Sequence, residues 1–184
     1  MLGVWVSSNW VGGLQPSAEP AFSHLLFFIL DAVQFAKLHA PLSLLLLGIS
    51  GYVFCQQSKL YPAVGLLVAA AVALNTNPLS YACWGLPPKA LALGCTLAAL
   101  GLLQGGFQTG WRGWLRVLLA GLCVGLNVVE GADVGAILSL YVAAFAVWQM
   151  FAEPGAKVAN ALRGAGRLAL VAVCAGWIAA HALA

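Results

Sequence analysis

The chain has 184 residues, of which 62% are hydrophobic and 7% charged, with a net charge of +3. A soluble domain carries about 25% charged residues and cannot hide so many apolar side chains at this size, because much of its surface faces water. The mean hydropathy of +0.96 therefore excludes an ordinary soluble fold, and cations standing at the ends of apolar runs, with no basic stripe, argue against nucleic-acid binding.

The N-terminal MLGVWVSSNW has no basic region and no small-residue cleavage site, so it is not a secretory signal. Residues 1–21 read as a polar, Gly- and Trp-bearing extracytoplasmic loop. In 22–38, FSHLLFFILDAVQFAKL, apolar residues recur at helical spacing, while His24, Asp31, Gln34 and Lys37 interrupt the other side. That pattern predicts an amphipathic helix lying in the interface, or a short re-entrant one.

A bilayer-spanning helix needs about 17 to 25 residues. Apolar runs of this kind lie at 40–56, 60–76, 88–105, 114–130 and 132–152, and a sixth at 166–184 reaches the last residue. Residues 39–184 are thus expected to form one all-α, polytopic transmembrane helix bundle of five or six spans. Residues 114–152 must turn, because a single helix of that length would measure about 60 Å against a hydrocarbon core of about 30 Å.

If the runs alternate in direction, Lys59, Arg112, Arg116, Lys157, Arg163 and Arg167 share one side, and Lys37 and Lys89 the other. This positive-inside bias makes the first side cytoplasmic. The N-terminal loop, the 75–89 loop and the Glu130/Asp133 turn are then extracytoplasmic. Under that alternation the chain begins outside with no preceding span and ends within an apolar run, the expected look of a piece of a longer polytopic protein. WRGWLR at 111–116 and the cations of 157–167 read as topology anchors that meet anionic lipids.

Gly101 and Gly105, Gly121 and Gly125, and Gly131 and Gly135 have GxxxG spacing, which lets helix backbones approach closely. Packing within the bundle is the expected use. The five cysteines lack CxxC spacing and the three histidines lack HExxH, so neither a metal site nor a cofactor is expected.

The chemistry-bearing candidates gather on the extracytoplasmic side. Asp133 opens a helix, where a carboxylate caps free N–H groups. Glu130 closes one, where the dipole disfavours an anion by about 0.3–1 kcal/mol. A cap cannot explain Glu130, so a cation, ligand, metal or water should compensate it. In NTNPLSYACWGLPPK, 75–89, Asn75 and Asn77 can bond their own backbone and end the preceding helix. Pro87 and Pro88 pre-set the next helix start. Trp84 and Tyr81 suit the interfacial aromatic belt. Lys89 is the one cation near this face of the helix core, a candidate partner for Glu130 or for a lipid phosphate. Glu130 and Asp133 stand as catalytic candidates. Lys89, Asn75, Asn77 and Trp84 stand as ligand-binding candidates.

SSNWVGG (7–13), FAKLHAPLSLLLLGISGYVF (35–54), SYACWGLPPKALALG (80–94), WLRVLLAGLCVGLNVVEGADVGAILSLYVAAF (114–145) and GAGRLALVAV (164–173) resemble an internal section of large bacterial YfhO-like polytopic membrane proteins. The resemblance covers nearly the whole chain and is carried by pattern. That family is similar to the GT-C type of lipid-linked-sugar glycosyltransferase. In that type, an acid in the first extracytoplasmic loop is the base and a polyprenyl-phosphate-linked sugar is the donor. The resemblance implies a bacterial inner-membrane protein, membrane lipids and such a sugar lipid as partners, and a catalytic loop upstream of Met1. The alternative is a non-enzymatic scaffold or transporter module. The apolar helix centres AVGLLVAAAVA, LGCTLAALG, LLAGLCVG and LSLYVAAFA weaken transport.

Overall fold

The computed structural model describes residues 3–6, 13–16, 22–83, 88–104, 110–152 and 157–183. The architecture is all-α, apart from a small N-terminal hairpin in which β1 (Gly3–Val6) and β2 (Gly13–Pro16) pair antiparallel, Trp5 opposite Leu14. Where the sequence reads as loop over 1–21, two short stretches therefore pair as strands. A 3-10 helix, Phe22–Phe28, follows. Then come α1 (Ala32–Gln57), α2 (Pro62–Ala73), α3 (Thr76–Cys83), α4 (Pro88–Gln104), α5 (Trp111–Glu130), α6 (Ala132–Ala152) and α7 (Lys157–Leu183).

The single amphipathic helix expected over 22–38 is two pieces. Asp31, in extended conformation, accepts the Gln34 N–H at 2.7 Å and caps α1. The chain breaks at Ile29–Asp31, and the segment after it continues into the first apolar run as one helix. Pro41 lies inside α1. Proline removes one helical hydrogen bond, but a membrane helix with packed neighbours tolerates that loss.

The α1–α2 connection is a Schellman turn. Leu60 N–H donates to the Cys55 carbonyl at 3.1 Å and Lys59 N–H to Gln56 at 3.0 Å, with Lys59 at φ 59°. Pro62 occupies the first turn of α2. The run at 60–76 is broken, because α2 ends at Ala73 and α3 leaves at 44°. Asn75 Oδ1 accepts the Asn77 N–H at 3.0 Å, so Asn75 starts a new helix where it was expected only to end one. Most of the 75–89 loop is helix for the same reason.

Among the described residues four helices are long and apolar enough to cross a membrane: α1, α5, α6 and the 160–180 part of α7. The bent α2–α3 pair counts as a fifth if taken as one broken span, and α4 is a shorter apolar helix of 17 residues. With the bent α2–α3 pair counted as one unit, successive helices alternate in direction. Arg116 bonds Gln57 at 3.2 Å and Gln149 bonds Gln104 at 3.1 Å at one end, while Ser23 meets Glu130 at the other.

Glycines decide how closely the helices approach. A Cβ on Gly94 would stand 3.3 Å from Leu47 Cα, and one on Gly101 3.1 Å from Phe54 Cα, which sets α4 against α1. A Cβ on Gly121 would stand 3.1 Å from Val171 Cα, and one on Gly125 3.2 Å from Ala175 Cα, so that GxxxG pair joins α5 to α7. Gly135 meets the backbone of Asn127 and Val128 and closes α6 on α5. Gly105 lies outside the described residues. The buried core, Ala99, Leu103, Val117, Ala120, Val124, Val142, Ala146 and Val171, is small because the backbones are near.

Gly125→Ala should lower stability by about 1–3 kcal/mol through overpacking. Gly176→Ala, where nothing lies within 4 Å of the added carbon, should be neutral or stabilising. Thermal unfolding midpoints in detergent check the pair.

Candidate functional site

The end of the bundle that carries Glu130 holds two polar arrangements. The first is built on Glu130 itself. As the last residue of α5 it sits at the negative end of the helix dipole, yet it is 8% exposed. Its compensation comes from the 3-10 helix. Ser23 N–H donates to Oε1 at 2.6 Å and Ser23 Oγ donates to Oε2 at 3.0 Å, across 107 residues of sequence. Ser23 is itself buried, whereas Leu25, Phe28 and Ile29 of the same arm are exposed. Both carboxylate oxygens thus accept from the arm, and the contact pins the arm to the bundle.

One turn inward, Asn127 is fully buried and donates from Nδ2 to the Gly135 carbonyl at 3.2 Å, tying α5 to α6 behind the turn. Asp133 goes the other way. It is exposed in the first turn of α6, where its charge favours the helix dipole. The two acids that stand together in the sequence therefore do not share a site.

The second arrangement is a cleft of about 620 Å³ between the α2–α3 elbow, α4 and α6. Asn75, Asn77, Tyr81 and Lys89 supply its polar groups, and Val72, Leu93, Val134 and Leu138 are among its apolar walls. The elbow makes it. A straight α2 would not lean away from α4, and the Asn75 cap is what redirects the chain.

Lys89 is the second residue of α4, so its charge lies at the positive end of that helix dipole. It is half-buried and stands with Nζ 4.5 Å from the centroid of the Tyr81 ring. The expected pairing of Lys89 with Glu130 is not made, because Lys89 turns to Tyr81 and Ser23 meets Glu130. Among the described residues no carboxylate forms an ion pair with Lys89.

Three of the four expected ligand-binding residues, Lys89, Asn75 and Asn77, line this one cleft. The fourth, Trp84, lies outside the described residues. Ser23 and Tyr81 were missed as site residues. Ser23 gives no local signal for a partner 107 positions away, and Tyr81 reads as one more aromatic of the interfacial belt. Among the described residues no three His, Cys, Asp or Glu side chains gather to hold a metal ion.

At the opposite end Arg116 bonds Gln57, and buried Arg167 lies 6.0 Å from the Trp114 ring. These cations are partly used in holding α1, α5 and α7 together.

No protein family, characterised protein or solved structure matches the chain. The helices themselves decide its class. The chain is a multi-pass helical membrane protein.

Glu130→Ala should release the arm. Hydrogen bonds to a charged group contribute about 1.5–3 kcal/mol, so amide exchange over residues 22–30 should quicken about tenfold to a hundredfold. Glu130→Gln, which keeps one acceptor, should have a smaller effect. Unchanged exchange in the alanine variant would mean that the arm is held by other contacts.

Proposed function

We propose that this chain forms the membrane-helical core of a YfhO-like, lipid-linked-sugar glycosyltransferase-like protein, and that its part in that work is to hold a lipid bearing a phosphate head. The cleft carries the reading. A ligand with a charged head and a hydrocarbon tail fits a site with cation, amides and phenol at one end and aliphatic walls beyond. Lys89 lacks a carboxylate ion pair among the described residues and sits against an unfavourable dipole, so an incoming anion relieves it. A polyprenyl phosphate meets both demands.

The same reading includes an orientation. Six of the eight cations belong to the connections and helix ends opposite the cleft, which supports, by the positive-inside rule, an extracytoplasmic cleft; a bacterial inner membrane is what the resemblance implies. Catalysis by this chain's two candidate acids has less support. Neither Glu130 nor Asp133 lines the cleft, and Glu130 is engaged by Ser23. In the resembled family the base comes from an extracytoplasmic loop, so the acids here are read as structural and the cleft as the binding element.

The Glu130 latch also favours a second reading, a non-enzymatic scaffold whose arm and bundle are held for assembly. The two readings part at Lys89. Lys89→Gln should weaken binding of a polyprenyl phosphate about tenfold or more, the loss of one charge-assisted contact. Titration of the full chain in zwitterionic nanodiscs measures it. Equal affinity of wild type and variant would favour the scaffold.

A further inference from the structure

We propose that Tyr81 is the positioning residue for Lys89, and that it thereby sets the preference of the cleft for an anionic over an uncharged amphiphile. The inference rests on the reading of the cleft as a site for a phosphate-headed lipid.

Among the described residues the Lys89 ammonium meets no carboxylate. Lys89 opens α4 at the end where the dipole is positive. Its flexible stem would otherwise let the charge swing out to water. Instead Nζ lies 4.5 Å from the Tyr81 ring centroid, within the range where the negative face of an aromatic ring attracts a cation. The ring covers one side of the ammonium and leaves N–H donors on the others. Both residues line the cleft, and so do Asn75 and Asn77.

The ring is in place because α3 leaves α2 at 44°, with its start capped by Asn75 and the neighbouring Ala82 buried. The elbow thus builds the cleft and also aims the ring. A lysine held in advance loses less freedom when it meets a phosphate, and that gain is withheld from a ligand without charge.

The test uses the full chain in zwitterionic nanodiscs with farnesyl phosphate, farnesol and inorganic phosphate as probes. Wild type should bind farnesyl phosphate well above both controls, which separates a lipid phosphate from free phosphate. Tyr81→Phe keeps the ring face and should bind within about twofold of wild type, and Tyr81→Trp at least as well. Tyr81→Leu should weaken farnesyl phosphate about five- to tenfold while leaving farnesol unchanged.

Three outcomes overturn the inference and leave the cleft standing: no loss in Tyr81→Leu, an equal loss in Tyr81→Phe, or a loss of farnesol that matches the loss of farnesyl phosphate. The last would mark Tyr81 as packing alone. A wild type that does not prefer farnesyl phosphate, or a Lys89→Gln variant that binds it equally well, overturns the reading of the cleft and this inference with it.

Discussion

Hydrocarbon offers no partner to a backbone N–H or C=O, so every segment that crosses it must satisfy its own polar groups as a helix. Once formed, such helices gain little by burying apolar faces on one another, since lipid is as apolar as leucine. Close packing must join them, and here it runs through glycine. Gly94 and Gly101 bring α4 onto α1, and Gly121 and Gly125 bring α5 onto α7. Because α5 contacts α4, α6 and α7, its ends have fixed neighbours. That places Glu130 within reach of Ser23 and leaves little freedom at the α5–α6 turn.

Two charges sit at the wrong ends of their helices on this face, Glu130 at a C-terminus and Lys89 at an N-terminus. The same electrostatic problem receives two solutions. Glu130 is buried and meets the N–H and hydroxyl of Ser23, which satisfies it and anchors the arm at the same stroke. Lys89 is half-buried and, among the described residues, meets the face of a ring and no carboxylate. A carboxylate so bonded is suited to structure. A cation so held remains open to an anion.

The elbow between α2 and α3 matters as much as either charge. Ordinary helix propensity would carry the apolar run through to residue 76. Asn75 stops it, because its short side chain can take the N–H of Asn77 and begin a new helix in a new direction. The 44° change opens the space that α4 and α6 then wall. A broken span of this kind places polar side chains beside a cavity, where irregular backbone is tolerated at a membrane surface.

Much of the architecture was legible from residue order. Runs of apolar residues fix where helices must lie, and the positions of α4 and α6 follow from length alone. Three residues of the cleft were legible as candidates too, since Asn75, Asn77 and Lys89 are polar residues that punctuate apolar runs in a chain with only 7% charged residues. The pairing of Ser23 with Glu130 was set by a contact between segments far apart in the chain. The split of 22–38 at Asp31 and the elbow at Asn75 rest on short-range caps that apolar periodicity does not encode. The proximity of Glu130 and Asp133 in sequence pointed to a shared site, and the α5–α6 turn sends one inward and the other to solvent. Local pattern determines which segments are helical because backbone satisfaction is local. Which charge finds which partner is decided only when the helices pack.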